Sequence, residues 1–309
     1  MPGNTKSQVS REVSPDRWAR WVLERRFGGN EQARRKTDAF LAPIRARIMA
    51  LAEVRPGDTV LDIASRDGYL GLAALESVGD TGTVVFTERS AELLEACRKN
   101  VQDAGLAHRA EFLRLQPDDL SPVGSGEVDV VLMRSILNYV PDRQRALREY
   151  HRVLLPGGRL SFIQMFPGPV VPGRLLGYRT EGVDHLAARV RDVLLAHRPD
   201  TYADWDERQL LTWVEAAGFR TISMLHETEI SDTSDWPLPV WDEARKIAAG
   251  PDQPTLQEAI DEALTPAEAA ELIAVLRVEV EAGRRAVRFP RTYVRAVRSQ
   301  PDEDGAGSR

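Results

Sequence analysis

Residues 60–74 read VLDIASRDGYLGLAA: an apolar strand carrying Asp62, a tight turn through Ala64, Ser65 and Arg66, then Gly68 opening a helix. Such a turn aims backbone N–H groups and the positive end of a helix dipole at a ligand, and glycine lets the backbone approach closely. Glu88 lies at the end of the next apolar strand, twenty residues beyond Gly68. A carboxylate there accepts both hydroxyls of a ribose. A solvated strand-end acid is the plainer alternative, against which the spacing and strand context argue. Asp118 and Asp119 follow a third strand, where acids are common in any loop. Tyr139, just after a fourth strand, and His185 are the side chains offered as a base, and for each a structural or surface role is the plainer reading. His108, His151 and His197 show no metal-ligand spacing with one another or with carboxylates. Neither a Gly-x-Ser-x-Gly turn nor a P-loop is present, and the turn lacks the G-x-G-x-x-G spacing of a nicotinamide dehydrogenase.

The elements that must hold these residues alternate regularly. Strands are predicted at 60–63, 84–86, 111–115, 128–133 and 160–165, with helices near 69–77, 90–100 and 143–154 between them. That alternation predicts parallel βαβ units. Pro156-Gly157-Gly158 is a turn that stops a helix before the fifth strand. Two later strands are predicted near 221–225 and 291–297. A helix opens at Ser14-Pro15-Asp16, with Ser14 as its cap, and carries Trp18 and Trp21. A second spans about 31–52, where Pro43 implies a kink or break. Segments 166–205 and 229–288 interrupt the core with helices, two of which start at capping boxes, Thr255…Glu258 and Thr265…Glu268.

Taken together, these motifs resemble the class I S-adenosylmethionine (SAM) dependent methyltransferases. The resemblance is carried by Asp62 and the 64–68 turn, Glu88-Arg89-Ser90, Gln116-Pro117-Asp118-Asp119-Leu120, Arg134-Ser135 at the end of strand four, and Pro156-Gly157-Gly158 before strand five. It covers about 56–166, roughly a third of the chain. It implies an α/β fold: a Rossmann-like, seven-stranded, mostly parallel sheet with a helical N-terminal extension and helical insertions forming a lid. It also implies SAM as cofactor. Gly68 and the backbone of Ala64, Ser65 and Arg66 would then line the methionine part, with Asp62 in the signature strand. Glu88 would hold the ribose, Arg89 would flank the adenine, Gln116, Pro117 and Asp118 would meet the adenine edge, and Arg134 would lie on the methyl-donor side. One departure is plain: Ala64 and Arg66 stand where the family carries glycine. Three roles are open to Arg66, namely pairing with the methionine carboxylate, filling the pocket, or pointing to solvent.

The expected organisation is a disordered 1–13, an N-terminal helical lid over 14–55, the SAM-binding core over 56–166, remaining strands with substrate-binding insertions over 167–298, and a disordered tail over 299–309. The helices and insertions hold Trp18, Trp21, Leu175, Leu176, Trp205, Trp236 and Trp241. They form either a lid with a mostly apolar acceptor pocket or a surface packed on the core or on a second subunit, as in a homodimer. The implied activity is methyl transfer to O, N or C of a small organic metabolite, such as one of secondary metabolism. A non-methylating reaction on the same fold (cyclisation, elimination or rearrangement) and a non-catalytic binding protein are the alternatives. Composition narrows the partners. Of 309 residues, 41 are Lys or Arg and 47 Asp or Glu, for a net charge of −6, and the arginines are scattered among acids. That argues against a nucleic-acid partner. No apolar run approaches the ~20 residues of a membrane span, residues 1–13 lack a signal-peptide core, and the lone Cys97 fits a reducing cytoplasm.

Overall fold

The computed structural model describes residues 16–27, 30–166, 168, 170–202, 205–232 and 240–300. Its strands are β1 (Thr59–Ile63), β2 (Thr83–Thr87), β3 (Ala110–Leu113), β4 (Val128–Arg134), β5 (Leu154–Met165), β6 (Arg174–Leu175), β7 (Tyr178–Arg179), β8 (Phe219–Ser231) and β9 (Val287–Arg298). The helices are α1 (Arg17–Arg20), α2 (Glu31–Ala52), α3 (Tyr69–Ser77), α4 (Ala91–Asp103), α5 (Arg143–Val153), α6 (Asp184–Ala196), α7 (Glu207–Ala216), α8 (Trp241–Ala244), α9 (Leu256–Ala263) and α10 (Pro266–Glu281). Seven strands form one sheet in the order β3-β2-β1-β4-β5-β9-β8. The first five run parallel, while β9 lies antiparallel to both β5 and β8. This is the expected Rossmann-like architecture.

The strand sequences explain their place. β1, β2 and β4 are almost wholly buried, as near-continuous Val/Leu/Ile runs covered on both faces must be. One core cluster includes Leu61, Val131, Phe162 and Tyr150. A second includes Val60, Phe86, Leu132 and the α2 residues Leu41, Ile44 and Ile48. The two insertions come together in a third cluster of their own, with Leu175, Val190, Trp241, Ile260 and Leu276 at its centre. They form a helical cap. Both predicted capping boxes are in place, with Thr255 and Thr265 accepting from the backbone N–H groups of Glu258 and Glu268.

Several boundaries differ from expectation. The cap of the first helix is Asp16, which accepts from the N–H groups of Trp18 and Ala19 at 2.9 and 3.2 Å. Ser14, the expected cap, lies outside the described residues, as do Trp236, residues 1–13 and the tail beyond Gln300. After α1 the chain widens into a π-helical turn over Trp21–Arg25. Helix α2 runs unbroken through Pro43, because burial of Leu41, Ile44 and Ile48 on either side outweighs the one lost hydrogen bond. Strand β5 begins at Leu154, so Pro156-Gly157-Gly158 lies inside it as an irregularity where the pairing shifts between Val128 and Val130. The closing pair β8 and β9 is longer than predicted, eleven residue pairs deep.

The N-terminal segment joins cap to core. Arg17 pairs with Asp252 at 2.7 Å, Arg25 pairs with Glu258, and the Trp21 indole N–H donates to the Ala248 carbonyl at 2.9 Å.

Candidate active site

In the sheet order, β1 and β4 are the central neighbours from which connections diverge in opposite directions, the crevice where open α/β sheets bind ligands. Ile63 pairs with Thr87 of β2 on one side and Met133 of β4 on the other. The residues that follow these three, Ala64, Glu88 and Arg134, therefore leave the sheet side by side.

The 64–68 turn is closed by short bonds. The Ser65 N–H donates to the Thr87 carbonyl at 2.9 Å, and its hydroxyl donates to the Asp62 carbonyl at 2.9 Å. Gly68 N–H returns to the Ser65 carbonyl at 2.8 Å. Backbone φ is positive at Ala64 (54°), Arg66 (55°) and Gly68 (91°), so two side-chain-bearing residues hold the conformation that glycine favours. Gly68 has a second reason to be glycine: a Cβ there would stand 2.9 Å from Cys97 Sγ.

Asp62 is 1% exposed and accepts the Gly71 N–H at 2.9 Å. Burial raises its carboxyl from 3.8 to about 7. It fastens α3 to β1 and so positions the turn. Gly71 completes this contact, and the sequence reading missed it: a Cβ on Gly71 would lie 2.2 Å from the Phe86 ring.

Glu88 is 4% exposed. One carboxylate oxygen accepts from the N–H groups of Arg89 (2.8 Å) and Ser90 (3.1 Å), and the other from Arg66 N–H (3.1 Å). Burial raises its pKa, and these bonds oppose the rise. A carboxylate has about four acceptor positions, so one remains on the oxygen facing Arg66. Helix α1 roofs this end, with the Arg89 guanidinium 5.2 Å from the Trp18 ring and Trp18 edge-on to Tyr139 at 4.7 Å. Of the adenine-edge candidates, Gln116 is exposed, Pro117 buried and Asp118 half-buried; Asp119 pairs with Arg145 at 3.7 Å.

Past the turn opens a chamber of about 870 Å³, roofed by the cap and lined in part by Arg66, Arg134, Ser135, Tyr139 and Met165. Its size is that of a small-molecule site. The walls are mostly apolar, as expected, but they also carry a charge that the sequence reading did not foresee. Leucine, valine and phenylalanine line the walls, and among the described residues eight arginines and Lys36 also face the space, against one carboxylate, Glu229. Arg26, Arg66 and Arg134 form the inner group. Arg26 and Arg66 lie 5.7 and 5.4 Å from the Trp21 ring centre, and Arg134 lies 5.4 Å from that of Tyr69. Burial and the neighbouring guanidinium groups lower Arg26 to about 10 and Arg134 well below its ordinary value. Tyr139 lines the chamber. His185 does not: it is exposed on the first turn of α6, away from the lining, and drops out as a base.

Residues 61–162 match the family model described as a methyltransferase domain. These residues form a methyltransferase domain. The methyltransferase domain is 35% identical over 123 residues to arsenite methyltransferase of Halobacterium salinarum, covering 39% of this chain and 31% of that protein. It is 34% identical over 123 residues to the ubiquinone/menaquinone biosynthesis C-methyltransferase UbiE of Legionella pneumophila, covering 40% and 48%. The match thus spans less than half the length of either relative. Among solved structures, YcgJ of Bacillus subtilis superposes with a TM-score of 0.52 at 14% identity, over 83% of this chain and 98% of that one, a likeness of fold.

SAM is the cofactor of this domain class, and the site's chemistry fits it. Glu88 keeps one open acceptor position for a donor such as a ribose hydroxyl. The inner guanidinium groups of Arg26, Arg66 and Arg134 have no carboxylate within ion-pair distance among the described residues, as a site that receives a carboxylate requires.

Proposed function

We propose that this chain transfers a methyl group from SAM to an oxygen, nitrogen or carbon of a small organic metabolite, such as an intermediate of secondary metabolism, held in the capped chamber. The observation that carries this reading is the convergence of the 64–68 turn, Glu88 and Arg134 at the β1/β4 crevice, directly beside a chamber of about 870 Å³. In it, Glu88 holds the ribose and Arg66 receives the methionine carboxylate. Arg89, Gln116, Pro117 and Asp118 border the adenine. The backbone of Ala64, Ser65 and Gly68 allows close approach, and Asp62 acts through α3 as a positioning residue. When bound, SAM supplies an electrophilic methyl group on a sulfonium.

The protein's own task is then to align the acceptor and exclude water. Helix α1 and the cap, fastened by Arg17–Asp252 and Arg25–Glu258, close the chamber. Tyr139 is the hydroxyl at its wall to orient the acceptor or receive its proton.

The test is to incubate the protein with SAM and a panel of acceptors and follow product mass. A product one methyl group heavier, formed with S-adenosylhomocysteine, supports the reading. A second reading draws on Arg66, whose buried side chain occupies a glycine position of the family turn: the chamber carries out a non-methylating rearrangement. Turnover of an acceptor with no change in mass would favour it.

A further inference from the structure

The chamber's charge is one-sided in a chain whose net charge is −6. Of its nine basic side chains, Arg174 lies 4.0 Å from the exposed Asp232. Glu229, the one acid of the lining among the described residues, is already engaged by Arg291 at 3.0 Å, outside the lining. Asp38 and Asp67 soften the field at Arg26 from outside the lining. Helix α6 shows how the outer wall is built. Arg191, Leu194 and Leu195 of α6 line the chamber, and so does Arg198, in the turn just beyond the helix, whose N–H returns to the Leu195 carbonyl at 3.0 Å. The two leucines thus form an apolar strip with one guanidinium before it on the helix and another after it in the turn. Arg288, at the start of β9, adds a third outer cation. None of these three has an ion-pair partner among the described residues.

Cofactor chemistry sharpens the imbalance. SAM carries an ammonium, a sulfonium and one carboxylate, so binding it adds net positive charge beside Arg26, Arg66 and Arg134. Like charges at close quarters in a low-dielectric crevice repel strongly. A ligand that brings negative charge into the chamber would offset this repulsion.

We propose that the acceptor is an amphiphilic anion, an apolar scaffold bearing a carboxylate or phosphate, and that Arg191, Arg198 and Arg288 recognise its charge while Leu194 and Leu195 pack its scaffold. The inference rests on the methyltransferase reading for the word acceptor, but the anion site itself does not. Because the acceptor's negative charge offsets the crowded cations, its binding also tightens SAM binding. The coupling is reciprocal.

The experiment is calorimetric titration of the full chain with a matched pair of probes, naphthalene-2-carboxylate and the neutral naphthalene-2-carboxamide. A charge-assisted hydrogen bond is worth enough to favour the carboxylate by roughly tenfold. The preference should shrink at high salt and be lost in the Arg191→Met/Arg198→Met variant, with thermal melting checking that the variant is folded. Arg288→Gln, on another element, should weaken the preference independently and covers the case in which the α6 variant fails to fold. SAM should bind the α6 variant no more weakly than the parent. The inference is overturned if the amide binds as tightly as the carboxylate, or if the folded variants keep the full preference. SAM titrated into the same samples separates the two ideas. SAM binding without the carboxylate preference sinks only the anion site. The preference without SAM binding sinks the methyltransferase reading and leaves the anion site standing.

Discussion

The backbone N–H of Arg66 donates to the Glu88 carboxylate at 3.1 Å, joining the turn after β1 to the residue that follows β2. The bond belongs to the main chain, so it persists whatever side chain stands at position 66. It fixes the carboxylate's angle and draws Arg66 into positive φ at 55°. The family's glycine pattern is therefore followed here in backbone shape but not in residue type.

Ala64 shares that conformation, with φ of 54°. A non-glycine residue in the left-handed region costs about 1–2 kcal/mol, while glycine's freedom in the unfolded chain costs about 0.4–1 kcal/mol. Ala64→Gly should thus leave the protein unchanged or more stable by up to about 1 kcal/mol, as read by denaturant unfolding. A loss of stability beyond about 1 kcal/mol would mean that the turn does not hold the positive φ described.

At Gly71 the expectation is opposite. A methyl group there meets the Phe86 ring at 2.2 Å, and that ring is fully buried. Gly71→Ala should destabilise by about 1–3 kcal/mol through overpacking. Adding Phe86→Leu should recover part of the loss, a non-additive result that a double-mutant cycle measures. Strict additivity would put the cause elsewhere.

Asp62 gives a pH signature. Its carboxyl rises from 3.8 to about 7 on folding, through burial. Between those values the native state holds a proton that the unfolded state has released. This group's contribution to stability is therefore complete below about pH 4 and declines as pH climbs to about 7. Asp62→Asn keeps an oxygen for the Gly71 N–H and does not titrate. Melting temperatures of parent and variant should diverge between pH 4.5 and 7.5, with the parent losing ground. Parallel curves would contradict the burial of a titrating carboxyl at this position.

Much of this was legible in the sequence, because the signals are local. The strand, turn and helix of 60–77 and the acid at Glu88 lie in contiguous patterns whose spacing is set by one βαβ unit. The continuity of α2 was not legible, since Pro43 argues for a break and only the buried faces of Leu41, Ile44 and Ile48 override it. Gly71 was missed for a similar reason: its role depends on a ring brought from β2. The arginine chamber was least visible. Arg26, Arg66, Arg134 and Arg288 come from four separate parts of the chain, and in sequence they look like cations scattered among acids. The helix that carries Arg191 was present in the spacing, but nothing local told which of its faces would be covered or that Arg198, just beyond its end, would join it.

The central claim, that Glu88 and its turn form a SAM site, is tested most directly by calorimetric titration of SAM and S-adenosylhomocysteine into the parent and a Glu88→Ala variant. Loss of a buried hydrogen bond to a charged group predicts that the parent binds SAM and the folded variant binds it at least about tenfold more weakly. Equal binding by both proteins, or no binding by the parent, would contradict it.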